Sequence, residues 1–195
     1  MENGSKKVGA ILKISDLPDS WPTDLHDPQF WEALGRAVAT FGHLELVLAQ
    51  AIFAFSVTKQ YPADQIEEEF SKWLPKLQKI LAEPLGGLIA EYERVSKPRE
   101  TETIDELEDF IVMLKEANKV RNAICHGYWQ APDKTGKSKA VFVNKKNQTF
   151  DTNVDVAFLK QLQKHTAELA TVVISSVTIM GLQFPGSNSP GKKVW

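Results

Sequence analysis

The sequence predicts an all-α protein: an antiparallel helical bundle with a small β-hairpin insertion between its last two long helices. Three observations lead there. Apolar residues recur at three- and four-residue spacing over long stretches of the 195-residue chain, the mark of helices with one buried face. Between Gly127 and Asp151 that period gives way to short β-prone runs separated by turn residues. Prolines, glycines and capping residues fall where the periodic segments begin and stop.

Residues 1–27 form an N-terminal arm, because Pro18, Pro22 and several aspartates interrupt any period; Lys7 to Ile14 is at most a short strand or docked segment. The first helix is expected over Pro28 to Val57, with Asp27 as its cap and Pro28 in its first turn. Its buried stripe is Phe30, Leu34, Ala37, Val38, Phe41, Leu44, Leu48, Ile52 and Phe55. A second helical region spans Ala63 to Leu81, kinked or divided at Pro75. After Pro84 and Gly86-Gly87 a shorter helix covers about Leu88 to Val95. The third major helix runs from about Ile104 to His126, capped by Thr101 or Thr103. Its apolar face is Leu107, Phe110, Ile111, Leu114 and Val120, and Gly127 is a candidate left-handed terminator.

Tyr128-Trp129-Gln130, Ala140 to Val143 and Gln148 to Phe150 are then β-prone, with Asp133 to Gly136 and Asn144 to Asn147 as turns. Thr152 to Asp155 resembles a capping box, with Asp in place of Glu or Gln, and opens a last helix from about Val154 to Met180. The helical domain thus covers 28–182, with its insertion at about 127–151. Residues 183–195 are a tail rich in breakers and expected to lack order.

Composition narrows the function classes. Hydrophobic residues make up 43% of the chain and charged residues 25%, which suits one soluble domain with its own core. The net charge is -2, so the chain as a whole is not a basic nucleic-acid binder. Charge is uneven, however. From Lys115 to Lys146 eight cations stand against two acids, a local balance of +6, a pattern that a solvated loop also produces. The single cysteine, Cys125, excludes an internal disulfide framework and a cysteine-rich zinc site. It fits a reducing compartment, and the apolar run Val8 to Leu12 is too short for a signal peptide or a membrane span. The expectation is a cytoplasmic protein with no membrane association, no metal and no cofactor. His26, His43 and His165 are dispersed without ligand spacing, and no glycine-rich phosphate loop or serine-centred nucleophile motif occurs.

The stretch Arg121-Asn122-Ala123-Ile124-Cys125-His126 carries the candidate chemistry. Arg121 and His126 diverge by about 140° on a regular helix, whereas Asn122 and His126 share a face. A guanidinium binds phosphate oxygens bidentately and keeps its charge. An imidazole moves protons near neutrality and so suits attack by a ribose 2′-hydroxyl on the adjacent phosphorus. An amide orients either partner. The bland alternative is a pair of cations placed at a helix C-terminus, where the dipole favours positive charge. No carboxylate lies at helix spacing from Arg121, so a local ion pair does not account for it. Cys125 and His126 point about 100° apart and make a poor nucleophile–base pair, which leaves Cys125 as a small core residue.

Arg121 to Trp129 resembles the signature of the HEPN superfamily: an arginine, a polar residue after it, and a histidine several residues on. Phe41 to Leu48 is similar to the Gly-x-x-Glu-x-x-Leu pattern of that family's opening helix. The resemblance implies an all-α bundle that dimerises, with the two Arg-to-His motifs forming a composite cleft that cuts RNA without metal. The products carry a 2′,3′-cyclic phosphate and a 5′-hydroxyl. Carried over by residue, His126 is the general acid/base, Arg121 holds the scissile phosphate and Asn122 orients. Glu45 lies on the apolar stripe, so it either hydrogen-bonds into the Arg121/His126 groove or sits at the stripe's edge in water. Lys119 and Tyr128 are candidate substrate contacts.

Tyr128 also completes an Arg-x4-His-x-Tyr motif, which in toxin-like members is adenylylated by a nucleotidyltransferase-type antitoxin. Tyr128 and Trp129 are equally suited to packing as strand aromatics, or to stacking an RNA base. The expectation is an endoribonuclease acting as a toxin or phage-defence effector. The alternatives are a non-catalytic HEPN module for dimerisation or for nucleotide or RNA binding, and an unrelated helical interaction protein.

Overall fold

The structure, a computed structural model, describes residues 11–57, 66–99, 106–143, 147 and 149–187. It is mostly helical, with a small three-stranded antiparallel sheet. The helices are α1 (Pro28–Val57), α2 (Ile66–Leu81), α3 (Leu85–Ser96), α4 (Leu107–His126) and α5 (Val156–Thr178). The sheet lies between α4 and α5 and consists of β1 (Tyr128–Trp129), β2 (Ser138–Val141) and β3 (Asn153–Val154).

Helix α1 is the spine of the core. Its most extensive contact is with α5, and α3 and α4 also pack against it. The expected stripe is buried from Phe30 through Phe55, with one exception. Val38 is exposed, because it lies one step round the helix from Ala37, which takes the inward position. The segment Pro28–Ser56 is long and apolar enough to cross a membrane, with hydropathy 1.6. A core helix meets the same criterion, and here Phe41, Leu44, Leu48 and Ile52 are sealed within the protein. Buried hydroxyls are paired: Tyr92 donates to Ser176 Oγ at 2.8 Å and ties α3 to α5. Burial, opposed by that hydrogen bond, pushes the Tyr92 phenol up to about 12.

Several boundaries differ from the expectation for physical reasons. Residues 11–13 form no strand, and Ile14–Asp16 is a single 3-10 turn with Ile14 exposed. The arm docks later, where Trp31 Nε1 donates to the Thr23 carbonyl and His26 is buried against Phe30. At the start of α1 the Asp27 carbonyl accepts the Phe30 N–H. Helix α2 runs through Pro75 undivided, and residues 63–65 lie outside the described residues. Helix α3 starts three residues earlier than expected, because Pro84 takes the cap position and both glycines adopt the helical conformation of its first turn. Thr101 and Thr103 lie outside the described residues. The cap of α4 is Glu106, at φ 60°, with no side-chain cap bond.

Gly127 is not left-handed. At φ -76° and ψ 146° it passes straight into β1, and its N–H bonds the Ala123 carbonyl. Glycine is needed there for space: a Cβ would stand 2.5 Å from the Ala123 carbonyl oxygen and 2.9 Å from Ala140 Cβ.

In the sheet, Tyr128 pairs with Val141 and Trp129 with Ala140, while Ser138 pairs with Val154. The expected run from Gln148 to Phe150 yields only a bridge between Val143 and Thr149, with residue 148 outside the described residues. The third strand is instead Asn153–Val154. Asp155 alone then caps α5, its carboxylate accepting the Phe158 N–H at 2.7 Å. Of the tail, residues 183–187 are described, and residues 188–195 lie outside the described residues. Phe184 is buried in the core, and the Ser187 N–H and hydroxyl both donate to the Phe184 carbonyl.

Candidate functional site

Helix α4 stays regular to its last residue, and that fixes the directions of the motif. Ala123 and Ile124 turn inward and are buried, Arg121, Asn122 and Cys125 are half-buried, and His126 is exposed. Arg121 points towards α1, where Glu45 occupies the flank of the apolar stripe. Arg121 Nη2 donates to Glu45 Oε1 at 3.2 Å, and Nη1 donates to Asn122 Oδ1 at 3.2 Å. The two charged side chains are 22% and 28% exposed, so the ion pair is largely withdrawn from water while one side of the guanidinium stays reachable. Two of the five donors of Arg121 are thus engaged, and the others have no partner among the described residues.

The partner that explains Arg121 therefore comes from 76 positions away rather than from its own helix. Cys125 lies in the field of the same pair. Burial pushes its thiol up, Arg121 pulls it down and Glu45 pushes it up again. A thiol held protonated in this way is a poor nucleophile, consistent with a packing role.

His126 is not brought into this cluster. Among the described residues its ring makes no hydrogen bond or ion pair, and it stands in the last turn of α4 facing solvent. The structure thus unites Glu45, Arg121 and Asn122 and leaves His126 separate within one chain.

Lys119 lies about 200° round α4 from Arg121. It is exposed and bonds Glu116 at 2.5 Å, so it does not line the Arg121 site. The basic stretch is also more neutral than its composition suggests. Lys115 bonds Glu93 at 2.7 Å and Lys139 bonds Asp151, both partners lying outside the stretch, while Lys145 and Lys146 lie outside the described residues. Tyr128 and Trp129 alternate across β1 as a strand requires. Trp129 packs edge-on against Phe30 at 5.0 Å, whereas Tyr128 is 67% exposed and its phenol makes no hydrogen bond among the described residues.

Sequence reasoning missed the surface that flanks Glu45. Gly35, Val38, Ala39, Gly42 and Leu46 form an exposed, apolar, small-residue face on α1. A Cβ added at Gly35 or Gly42 would meet nothing within 4 Å. The signal was present as glycines at positions 35 and 42 of an otherwise strong helix, which cost helix propensity without serving a turn. Among the described residues no three His, Cys, Asp or Glu side chains converge as a metal-holding group. In comparisons with known proteins, no family model, no curated protein and no solved structure matches the chain.

Proposed function

We propose that this chain is a metal-independent endoribonuclease of HEPN type, a cytoplasmic toxin or defence effector that works as a homodimer with an antiparallel-bundle fold. The observation that carries the reading is the Glu45–Arg121–Asn122 cluster, with His126 turned to a different side of the end of α4 and without a side-chain partner among the described residues. Glu45 and Asn122 hold the guanidinium in one orientation, so its remaining donors are aimed without further loss of side-chain freedom. His126 is open to solvent and to a second chain.

The exposed face of α1 around Gly42 and Leu46 supports dimerisation, since small residues permit close approach of two helices and the apolar side chains would leave water. In the composite cleft Arg121 would hold the scissile phosphate. The ribose 2′-oxygen forms a bond to phosphorus as its proton passes to an imidazole, and the bond to the 5′-oxygen breaks as that oxygen gains a proton. The products are a 2′,3′-cyclic phosphate and a 5′-hydroxyl. Tyr128, exposed two residues after His126, suits adenylylation by a nucleotidyltransferase-type antitoxin.

A second reading, a non-catalytic dimerisation or RNA-binding module, draws on the neutralisation of Arg121 by Glu45. Incubation of the purified protein with RNA in EDTA, with end-group analysis, separates the two. Cleavage to cyclic phosphate ends that His126→Ala abolishes without unfolding supports the nuclease. Salt-sensitive binding without new ends selects the module, and cleavage by His126→Ala at the wild-type rate refutes the assignment.

A further inference from the structure

The Arg121 site has a charge balance of its own. Glu45 Oε1 accepts from Nη2 at 3.2 Å and Asn122 Oδ1 accepts from Nη1 at 3.2 Å, so the guanidinium has one charged and one neutral partner. Fork and carboxylate together therefore carry no net charge. Lys119 is exposed and paired with Glu116, and among the described residues Arg121 makes no ion pair besides that with Glu45. An anion arriving at Arg121 gains the attraction of one cation and meets the repulsion of one carboxylate.

The field of that carboxylate is not confined to its hydrogen bond. Both side chains are largely withdrawn from water, where charges are screened less than at the open surface. Cys125 makes no hydrogen bond to either of them, yet its thiol is pushed up by burial, drawn down by Arg121 and pushed up again by Glu45. A phosphate on the remaining donors of Arg121 would sit about 6 Å from Glu45, inside one Debye length at physiological salt.

Repulsion at a given distance scales with the charge of the ligand. A phosphodiester carries one negative charge, whereas a terminal phosphomonoester, with a second pKa of about 6, carries about two at pH 8. A bare arginine would favour the monoester, and a carboxylate on the same fork removes that preference. We infer that Glu45 is a specificity-determining residue: it makes the Arg121 site select the singly charged diester inside a nucleic-acid strand over doubly charged terminal phosphates and free nucleotides. The inference rests on the reading of Arg121 as the phosphate-holding group, and adds to it the role of Glu45 in choosing the substrate.

The test is an NMR titration of the full chain at pH 8, following the Arg121 Nε–H signal, which is assigned by its loss in Arg121→Met. The ligands are a dithymidine dinucleotide, one diester with no 2′-hydroxyl to attack, and thymidine 5′-monophosphate. The wild type should bind the dinucleotide at least as tightly as the monophosphate. Glu45→Gln keeps an acceptor for Arg121 and removes the charge. It should tighten the dinucleotide about fivefold and the monophosphate about 25-fold, the square, because the energy doubles with the charge. Glu32→Gln, an exposed acid of α1 paired with Arg36, should leave both affinities unchanged. Tighter binding of the monophosphate by the wild type, equal gains for the two ligands, the same gains in Glu32→Gln, or binding of neither ligand would overturn the inference. The order of the two ligands in the wild type decides the case should Glu45→Gln not fold. Equal gains alongside RNA cleavage would remove the charge selection and leave the nuclease standing, whereas a squared gain without cleavage would do the reverse.

Discussion

The Glu45–Arg121 ion pair should be energetically coupled, and a double-mutant cycle measures by how much. Two unit charges about 4 Å apart attract by about 1 kcal/mol in water and about 4 kcal/mol at the effective dielectric of a protein surface. The pair is 3.2 Å between Nη2 and Oε1, with side chains 22% and 28% exposed, so it lies between these limits and keeps part of its hydration. Fully exposed pairs couple by roughly 0.2–1 kcal/mol. We expect about 1–2 kcal/mol here. Glu45→Ala and Arg121→Ala should each destabilise by about 1–3 kcal/mol, because each leaves the other charge half-buried and unpaired. The double variant should cost less than the two losses added together.

Urea unfolding of the four proteins supplies the values. Repeating the cycle in 1 M salt should retain more than half of the coupling, since partly buried pairs are screened less than exposed ones. A coupling below about 0.3 kcal/mol, within ordinary additivity error, would mean the contact does not organise Arg121.

Three further outcomes follow from the packing. The Tyr92 phenol, at about 12 when folded, ionises after the unfolded chain's, near 10. Stability is therefore whole below pH 10 and falls between 10 and 12, by about 2–3 kcal/mol for the two-unit difference; Tyr92→Phe should lose that part of the alkaline slope when urea midpoints at pH 9 and 11.5 are compared. Gly127→Ala forces a Cβ against the Ala123 carbonyl and Ala140, and thermal melting should register a loss of about 1–3 kcal/mol; a neutral result would contradict the close approach of α4's end to β2. Phe184→Ala should cost about 3 kcal/mol if the tail is docked as described, and an unchanged denaturant midpoint would return residues 183–187 to a loose tail.

Periodicity made the helices legible, because a core-facing stripe writes itself at three- and four-residue spacing. The stripe Phe30 to Phe55 located α1 with both its ends, and Leu107 to Leu114 located the buried start of α4. What periodicity cannot carry is contact between elements. Val38 met the spacing yet faces water, since Ala37, one step round the helix, takes the buried position. Gly127 stood where a left-handed cap is common, but its lack of a side chain serves the passage of β2 across the helix end. The site divides along the same line. Arg121, Asn122 and His126 announced themselves by residue type within six positions. The role of Glu45 as the partner of Arg121 is a tertiary fact that no local spacing states.

The regular end of α4 constrains any chemistry built on the motif. Arg121 is drawn towards α1 by Glu45 while His126, about 140° round the helix, faces outward, so a single chain presents the fork and the ring in different directions. On the proposed reading a phosphate must meet the ring of one copy and the fork of another, and cleavage should vanish whenever the copies separate. The face beside Glu45 allows that to be tested without touching either group. Leu46 is 56% exposed and a Cβ at Gly42 would meet nothing within 4 Å, so Leu46→Glu and Gly42→Glu should leave the folded monomer intact. Sedimentation at several concentrations should then show the variants as monomers and the wild type as a dimer, with RNA cleavage lost in step. A variant that sediments as a monomer yet cuts RNA at the wild-type rate would break the link between assembly and catalysis on which the composite cleft rests.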